Sequence, residues 1–351
     1  MRERIMSKAG PVDHDALTRI LFGASAFRLL QAGCELGLFA RLHDEGPLTA
    51  QQVAVGTKLQ PRAVQTLLLG TTSLGLTVRS RGRYSNAELI GEMIGDGTWS
   101  IVEDIVRFED RITLPASADL VESLRQNTNV GLRSIPGEGD DLYHRLAAQP
   151  ELEALFYQCM RSWSRLSNPV LVDRAELAGV SRVLDVGGGD GVNAIALAEV
   201  NPGTSFTVVD MPGALDIAGR RITERGLADR ISVKPGDIFA DDFPDGHDCV
   251  LFANQLVIWS PEENAALLKK AYDCLPSGGQ VLIFNAFSDD SGDGPLYAAL
   301  DNVYFATLPA ANSTLYHWGQ YEEWLRDVGF QRVERLPGRT WTPHGVLRAW
   351  K

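Results

Sequence analysis

The sequence is poor in positive charge. Its 351 residues hold 33 Lys and Arg against 45 Asp and Glu, a formal net charge of −12. Nucleic acids and anionic membrane surfaces recruit clustered Lys and Arg, so this balance argues against both as partners. Cysteine is scarce too. Cys34, Cys159, Cys249 and Cys274 stand far apart, with no C-x-x-C pair. That spacing suits neither a disulfide framework nor a zinc site, and fits reduced cysteines in a cytoplasmic protein. No apolar run reaches the roughly 18 residues of a membrane-spanning helix. Met1 to Gly10 is basic, but no apolar core follows it, so it does not read as a signal peptide. Repeats and low-complexity tracts are missing as well. What is present is an acidic chain, 44% hydrophobic and long enough for two domains.

Residues 14 to 42 carry Leu17, Ile20, Leu21, Ala24, Phe27, Leu30 and Leu36 at helical spacing. The stripe is wide, which predicts a buried face, against a second subunit if not within the chain. Leu48 to Tyr84 has a winged-helix rhythm. Thr49 is placed to cap one helix, Pro61 opens a second, and Leu76-Thr-Val-Arg, Gly82 and Arg83-Tyr-Ser read as a hairpin wing. Such a module can bind DNA, yet its second helix offers only Arg62, and the wing Arg79, Arg81 and Arg83. That is thin for a recognition surface, and a packing and dimerisation module fits better. Residues 98 to 179 read as helical, interrupted by the polar stretch Asn127 to Asp140. From 181 onward strands and helices alternate: Val183-Leu-Asp-Val, Phe206-Thr-Val-Val, Ile231-Ser-Val, Cys249-Val-Leu-Phe and Val281-Leu-Ile-Phe. Runs apolar on both faces predict central parallel strands covered by helices. Gln331 to Arg335 and Val346 to Trp350 predict a closing hairpin. The expected organisation is 1–100 helical and winged, 101–179 a helical linker with pocket residues, and 180–351 an α/β Rossmann-like doubly wound sheet.

The chemistry concentrates in Val183-Leu-Asp-Val-Gly-Gly-Gly-Asp-Gly191. A strand ends in an acid and a glycine turn, and a second strand closes on Asp210, the arrangement by which doubly wound sheets hold a nucleoside. Gly187, Gly189 and Gly191 alternate, unlike the G-x-G-x-x-G that seats a diphosphate on a helix N-terminus. Asp185 ahead of the loop would repel a diphosphate and can pair with an ammonium group. Asp210, followed by Met211, suits two ribose hydroxyls, or it caps the next helix. Asp237 can receive an adenine amino group with Ile238 or Phe239 covering the ring, or it stabilises a turn.

The alternating glycines resemble the first motif of the class I S-adenosylmethionine methyltransferases. Together with Glu35-Leu-Gly-Leu-Phe, Asp210-Met-Pro, Gly236-Asp-Ile-Phe and Trp259-Ser-Pro-Glu-Glu, they make nearly the whole chain similar to the dimeric small-molecule O-methyltransferases of plant phenolic and bacterial antibiotic pathways; Trp341-Thr-Pro-His-Gly is closest to the bacterial members. The resemblance implies S-adenosylmethionine as cofactor, S-adenosylhomocysteine as product, a homodimer through the N-terminal domain, and a small aromatic or polyketide-like acceptor in secondary metabolism.

The resemblance also exposes a departure. The family's segment before the tryptophan reads His-Asp-Trp or His-x-Trp, and its histidine takes the acceptor's proton. Here Gln255-Leu-Val-Ile-Trp259 places Val257 there, and valine accepts no proton. General-base help is worth roughly 10²–10⁴-fold. Three readings stay open. His317, in Leu315-Tyr-His-Trp, serves as the base, or else merely holds its loop. The acceptor is already nucleophilic, an activated aromatic or enolate carbon, so that orientation carries the rate. Or methyl transfer has given way to a hydroxylase or pericyclase-like reaction aided by the sulfonium. A metabolite-sensing winged-helix regulator is the non-enzyme alternative. His344 reads as structural, and with no histidine at 257 no metal is expected. The acceptor pocket is expected to draw on Tyr157, Met160, Trp163 and Ser164 from one helix face, and on Asn254, Val257, Tyr304, Phe305 and Asn312. Aromatics and Met suit a flat apolar ligand, and equally a plain core.

Overall fold

The structure, a computed structural model, describes residues 12–340 and 342–351. The basic N-terminal segment and Trp341 of the closing motif lie outside the described residues. The chain divides into two compact units.

The first unit comprises the described residues up to Arg111 together with Leu155–Ser162. Helices α1 (His14–Leu21), α2 (Gly23–Glu35) and α3 (Leu38–Asp44) open it. Asp13 starts α1 by accepting a hydrogen bond from the Ala16 N–H at 2.7 Å. α1 buries none of its residues: Leu17, Ile20, Leu21 and the following Phe22 are 45–70% exposed, so their apolar face has no cover among the described residues. The winged module follows. β1 (Leu48–Thr49), α4 (Ala50–Thr57), α5 (Pro61–Ser73), β2 (Thr77–Ser80) and β3 (Arg83–Asn86) form a sheet in the order β1-β3-β2. Thr49 and Gln52 make a reciprocal capping box at α4, and Pro61 occupies the first turn of α5. Leu38, Leu42, Leu48, Val53, Val64, Leu67 and Leu68 pack its core. The wing's cations serve the unit itself: Arg83 donates to the Pro47 carbonyl and Arg79 lies over the Tyr84 ring. α6 (Glu88–Gly95) and α7 (Trp99–Phe108) complete the run.

The second unit comprises Ile112–Ala154 and Trp163–Lys351. Short helices α8 (Leu114–Ser117), α9 (Leu120–Gln126) and α10 (Leu142–Ala147) precede the long α11 (Pro150–Arg174), whose segment 155–162 belongs to the first unit. Strands β4 (Arg182–Val186), β5 (Ser205–Asp210), β6 (Ile231–Pro235), β7 (Cys249–Ala253), β8 (Gln280–Ala286), β9 (Arg332–Pro337) and β10 (His344–Trp350) form one sheet in the order β6-β5-β4-β7-β8-β10-β9. The first five are mutually parallel; β10 runs antiparallel between β8 and β9. Helices α12 (Val192–Val200), α13 (Pro212–Glu224), α14 (Pro261–Cys274), α15 (Leu296–Thr307) and α16 (Trp318–Val328) connect the strands.

One apolar cluster, with Leu171, Leu197, Val208, Leu251 and Phe284, covers one face of the sheet; another, with Val250, Phe252, Leu267, Ile283 and Tyr321, covers the other. β7 and β8 are buried along their whole length, as their continuous apolar runs require. β6 departs from the expectation of a central strand. It lies at the sheet edge, and of its residues only Ile231 is buried, because nothing pairs beyond it. Strand order reverses between β4 and β7, and the crevice at such a switch point is where doubly wound sheets bind ligands.

Candidate active site

The loop after β4 is built by conformation. Gly187, Gly189 and Gly191 hold φ of 68°, 56° and 76°, a region that side chains disfavour. Gly188 is required for a different reason. A Cβ there would stand 2.6 Å from Asp185 Oδ2 and 2.8 Å from Val208 Cγ1. Sequence spacing marked the alternating glycines and passed over this one. Gly191 then caps α12.

Asp185 is fully buried on β4, and neither of its carboxylate oxygens has a hydrogen-bond partner among the described residues. Burial, and next the charge of Asp210, push its pKa up to about 7. A buried carboxylate with no donor calls for a cation. Asp210 closes β5. Its Oδ2 accepts from the Gly189 N–H at 2.8 Å and its Oδ1 from the Met211 N–H at 2.7 Å. Burial raises its pKa, and these two backbone donors oppose the rise. It thus ties the loop to the start of α13, where Met211 is largely exposed. The Asp210 carbonyl accepts from the Gly236 N–H, which brings the segment after β6 alongside. There Asp237 Oδ1 accepts from the N–H groups of Phe239 and Ala240, and these bonds hold its carboxyl below the usual range. Its turn-stabilising role is therefore present, and Oδ2 takes no part in it. Ile238 packs on the core, while Phe239 meets the Trp259 ring edge-on at 4.8 Å between centroids.

Three further residues join this place, none of them singled out in the sequence for a role of its own. The Gln255 side chain lies against Gly187, close enough that a Cβ there would sit 2.6 Å from its Cδ. The preceding residue, Asn254, holds φ 55° at the end of β7, a left-handed conformation that pins the strand-to-loop exit. Trp259 Nε1 is buried without a partner among the described residues. Lys270 of α14 donates to the carbonyls of Ile238 at 2.7 Å, Phe239 at 3.1 Å, and Asp241, fixing the turn. Lys270 lies about thirty residues from that turn, so no local pattern could have marked it.

Of the expected acceptor residues, Val257 is 4% exposed in an apolar cluster with Ile258, Ala286, Ala298 and Leu315, bordered by Tyr143, Trp259 and Phe305. Trp163 Nε1 donates to the Tyr297 hydroxyl of α15 at 2.5 Å. Tyr304 is buried on α15, its ring edge-on to Phe305. Asn312 is exposed at φ 66°, and its carbonyl accepts from the Tyr316 hydroxyl. Tyr157 and Met160 are half-buried residues of the first unit. His317 is the N-cap of α16. Its Nδ1 lies 3.2 Å from both the Gln320 N–H and Asp290 Oδ1, so that nitrogen is engaged in either tautomer and Nε2 is the one left to exchange a proton. His344 is buried on β10 against the Phe284 ring, and burial pushes its pKa down to about 3.

The geometry suits a nucleoside joined to a cationic amino acid. The orphaned Asp185 carboxylate is the test of fit, and S-adenosylmethionine carries the ammonium group to meet it. Comparison with known proteins agrees. The O-methyltransferase domain family matches residues 118–331, and the O-methyltransferase dimerisation domain matches residues 18–90. The chain is 49% identical over 343 residues to the L-tyrosine C(3)-methyltransferase of Streptomyces lavendulae, covering 97% of this chain and 94% of that one. It is 33% identical over 338 residues to the 3-hydroxy-5-methyl-1-naphthoate 3-O-methyltransferase of Streptomyces sahachiroi, covering 95% and 94%. Among solved structures, the S-adenosylmethionine-dependent methyltransferase SibL in its apo form is similar at TM-score 0.89 and 53% identity, with 97% of this chain and 99% of that one covered. Human N-acetylserotonin methyltransferase, solved with the cofactor, shares the fold at TM-score 0.82 and 23% identity, covering 98% and 99%.

Proposed function

Because the chain belongs to the O-methyltransferase family and is an S-adenosylmethionine-dependent methyltransferase, we propose that its acceptor is a phenolic amino acid, methylated on a ring carbon beside the hydroxyl. The observation that carries this reading is the wall at position 257. Val257 and its neighbours Ile258, Ala286, Ala298 and Leu315 offer only hydrocarbon where the family resemblance implies a base. Moving a methyl onto a neutral phenol oxygen would forgo the roughly 10²–10⁴-fold that a base supplies. The ring carbon ortho to a phenolic oxygen is nucleophilic through that oxygen's lone pair, and there orientation carries most of the rate. The relative named an L-tyrosine C(3)-methyltransferase, 49% identical across 97% of the chain, supports the same outcome.

When bound, the cofactor supplies an electrophilic methyl. The acceptor's ring carbon would gain the bond to it, the sulfonium–methyl pair of electrons would stay on sulfur, and the ring proton would leave to water as aromaticity returned. Asp185 would hold the ammonium group, Gly187 and Gly189 would admit the amino-acid portion, and Asp210 would hold the ribose, with Met211 beside it. Asp237, Ile238 and Phe239 would hold the adenine. Trp163, Asn254, Tyr304 and Asn312 are proposed to shape the acceptor's side, and His317 to hold its loop rather than move a proton. The exposed apolar face of Leu17, Ile20, Leu21 and Phe22 supports a homodimer through the N-terminal domain, and four widely spaced cysteines with no C-x-x-C pair suit a cytoplasmic home.

The test is incubation of the protein with S-adenosylmethionine and L-tyrosine or its ring-hydroxylated analogues, with product assignment by NMR. A new ring methyl with one aromatic proton lost is expected. A methyl ether as the sole product, or no turnover with any phenolic amino acid, would overturn the reading.

A further inference from the structure

We propose that the Gln255 side-chain amide binds the α-carboxylate of S-adenosylmethionine, as the neutral counterpart of the ammonium seat at Asp185. This rests on the seating of the ammonium group proposed above and adds the residue that holds the other end of the cofactor's amino acid.

Gln255 stands where the chain leaves β7. Its backbone is held on both sides: the Asn254 N–H donates to the Phe284 carbonyl at 2.7 Å, and the Gln255 carbonyl accepts from the Ile258 N–H at 3.3 Å. The side chain is half-buried, and its amide makes no hydrogen bond among the described residues. It lies on the bare Cα of Gly187, where a Cβ would stand 2.6 Å from Gln255 Cδ, 2.8 Å from Nε2 and 2.9 Å from Oε1. A point directly above Cδ would lie about 2.9 Å from both outer atoms, given amide bonds of about 1.2–1.3 Å. The amide therefore rests flat on Gly187. Its N–H bonds lie in the amide plane and run along the loop instead of into it, whichever way the group is turned.

The next glycine faces Asp185: a Cβ at Gly188 would stand 2.6 Å from Asp185 Oδ2. Carboxylate and amide thus lie against consecutive residues, whose Cα atoms are about 3.8 Å apart. An α-carboxylate stands one carbon from its ammonium group, so one amino acid can meet both. That carboxylate enters a place already holding Asp185 and Asp210, and like charges disfavour it unless a donor meets it. The glycine N–H groups of the loop are taken: Gly187 and Gly188 donate to the Val209 carbonyl, Gly189 to Asp210, and Gly191 to the Gly188 carbonyl. Arg221, a cation that does reach the loop, donates to the Asp190 carboxylate and, at 3.3 Å, to its carbonyl. Gln255 keeps its donors open. A Lys or Arg in its place would itself pair with Asp185 and compete with the ammonium group; a neutral amide donates without that competition.

The experiment measures dissociation constants by calorimetry for S-adenosylmethionine and for its decarboxylated analogue, which keeps the sulfonium and the ammonium group. Wild type, Gln255→Leu and Gln255→Glu are compared at one pH, with Asp185→Asn as reference. Wild type should prefer the intact cofactor by about tenfold or more. Gln255→Leu should weaken S-adenosylmethionine about 10–100-fold, the worth of a hydrogen bond to a charged group, and leave the analogue within about twofold. Gln255→Glu has the same shape. It should weaken S-adenosylmethionine further and tighten the analogue, because it puts a negative charge where the carboxylate binds. Asp185→Asn should weaken both ligands alike, since both carry the ammonium group. The inference is overturned if wild type binds the two ligands equally, if Gln255→Leu leaves both affinities as they were, or if the Gln255 variants lose both ligands in equal measure, the mark of mere packing on Gly187. The expected Gln255 pattern beside an Asp185→Asn that weakens neither ligand would refute the ammonium seat while sustaining the carboxylate site. Wild-type protein that binds neither ligand would overturn both.

Discussion

The proposed seat of the cofactor's ammonium group at Asp185 would make binding a proton-linked event. The carboxyl is fully buried, its oxygens lack donors among the described residues, and burial pushes its pKa up to about 7 from 3.8. That difference corresponds to about 4 kcal/mol of penalty on the ionised form. The sign follows from which state holds the proton. Between pH 3.8 and 7 the folded, empty protein keeps a proton that the unfolded chain has lost, so this group favours folding at low pH, and its contribution is lost as pH rises through 7. An ammonium group at Asp185 reverses the preference and expels the proton. Cofactor affinity should therefore weaken by about tenfold for each pH unit below 7. It should also decline above roughly pH 8, where an α-amino group loses its own charge. Calorimetry in two buffers of different protonation heat measures the linkage directly: close to one proton released at pH 6, turning to a net uptake of a fraction of a proton at pH 8, where the ligand's amino group must be recharged. Asp185→Asn should split two properties. At pH 8 the empty variant should gain stability, by up to about 4 kcal/mol less the roughly 1–3 kcal/mol of its own unpartnered amide. Its affinity for S-adenosylmethionine should meanwhile fall by about 10²–10³-fold. Binding without proton release, at an affinity that Asp185→Asn leaves intact, would refute the assignment of the ammonium site.

Three other expectations follow from single contacts. His344, with its pKa pushed down to about 3 by burial, stays neutral in the fold while the unfolded chain takes up a proton below pH 6.5; from there down to pH 3 it should subtract about 1.4 kcal/mol of stability per pH unit. Urea unfolding of His344→Gln against wild type at pH 7, 6 and 5 should show the variant's deficit shrinking as pH falls. Lys270→Met removes three charge-assisted bonds to the Ile238–Asp241 turn, and fluorescence titration should find S-adenosylmethionine bound about tenfold more weakly or worse, with the acceptor's KM little changed. His317→Ala deletes the cap of α16 and should cost about 0.5–2 kcal/mol by thermal unfolding, while kcat stays within about tenfold; a loss of 10² or more would restore it as the base.

Much of the fold was legible because burial writes itself into sequence. Strands covered on both faces read as unbroken apolar runs, and Val183–Val186, Cys249–Phe252 and Val281–Phe284 all lie in the sheet at the places their runs marked. Thr49 with Gln52 and Pro61 are local signals, decided by the nearest turn of backbone, and both helices begin there. Ile231-Ser-Val read as a covered strand, because an edge position is a property of the sheet's order and not of the segment. Gly188 looked like a spacer among alternating glycines, and only the packing of Asp185 beneath it shows why no Cβ fits.

The sequence by itself determined the family and the glycine loop with its two acids, since each depends on residue type at short spacing along one chain. Tertiary structure alone decided that Asp185 lacks a partner, that Gln255 rests on Gly187, that Lys270 holds a turn some thirty residues upstream of it, and that Trp163 reaches Tyr297. Those are meetings between elements far apart in sequence. Hydrogen bonds and desolvation act through space, over a few ångströms, whatever length of chain lies between.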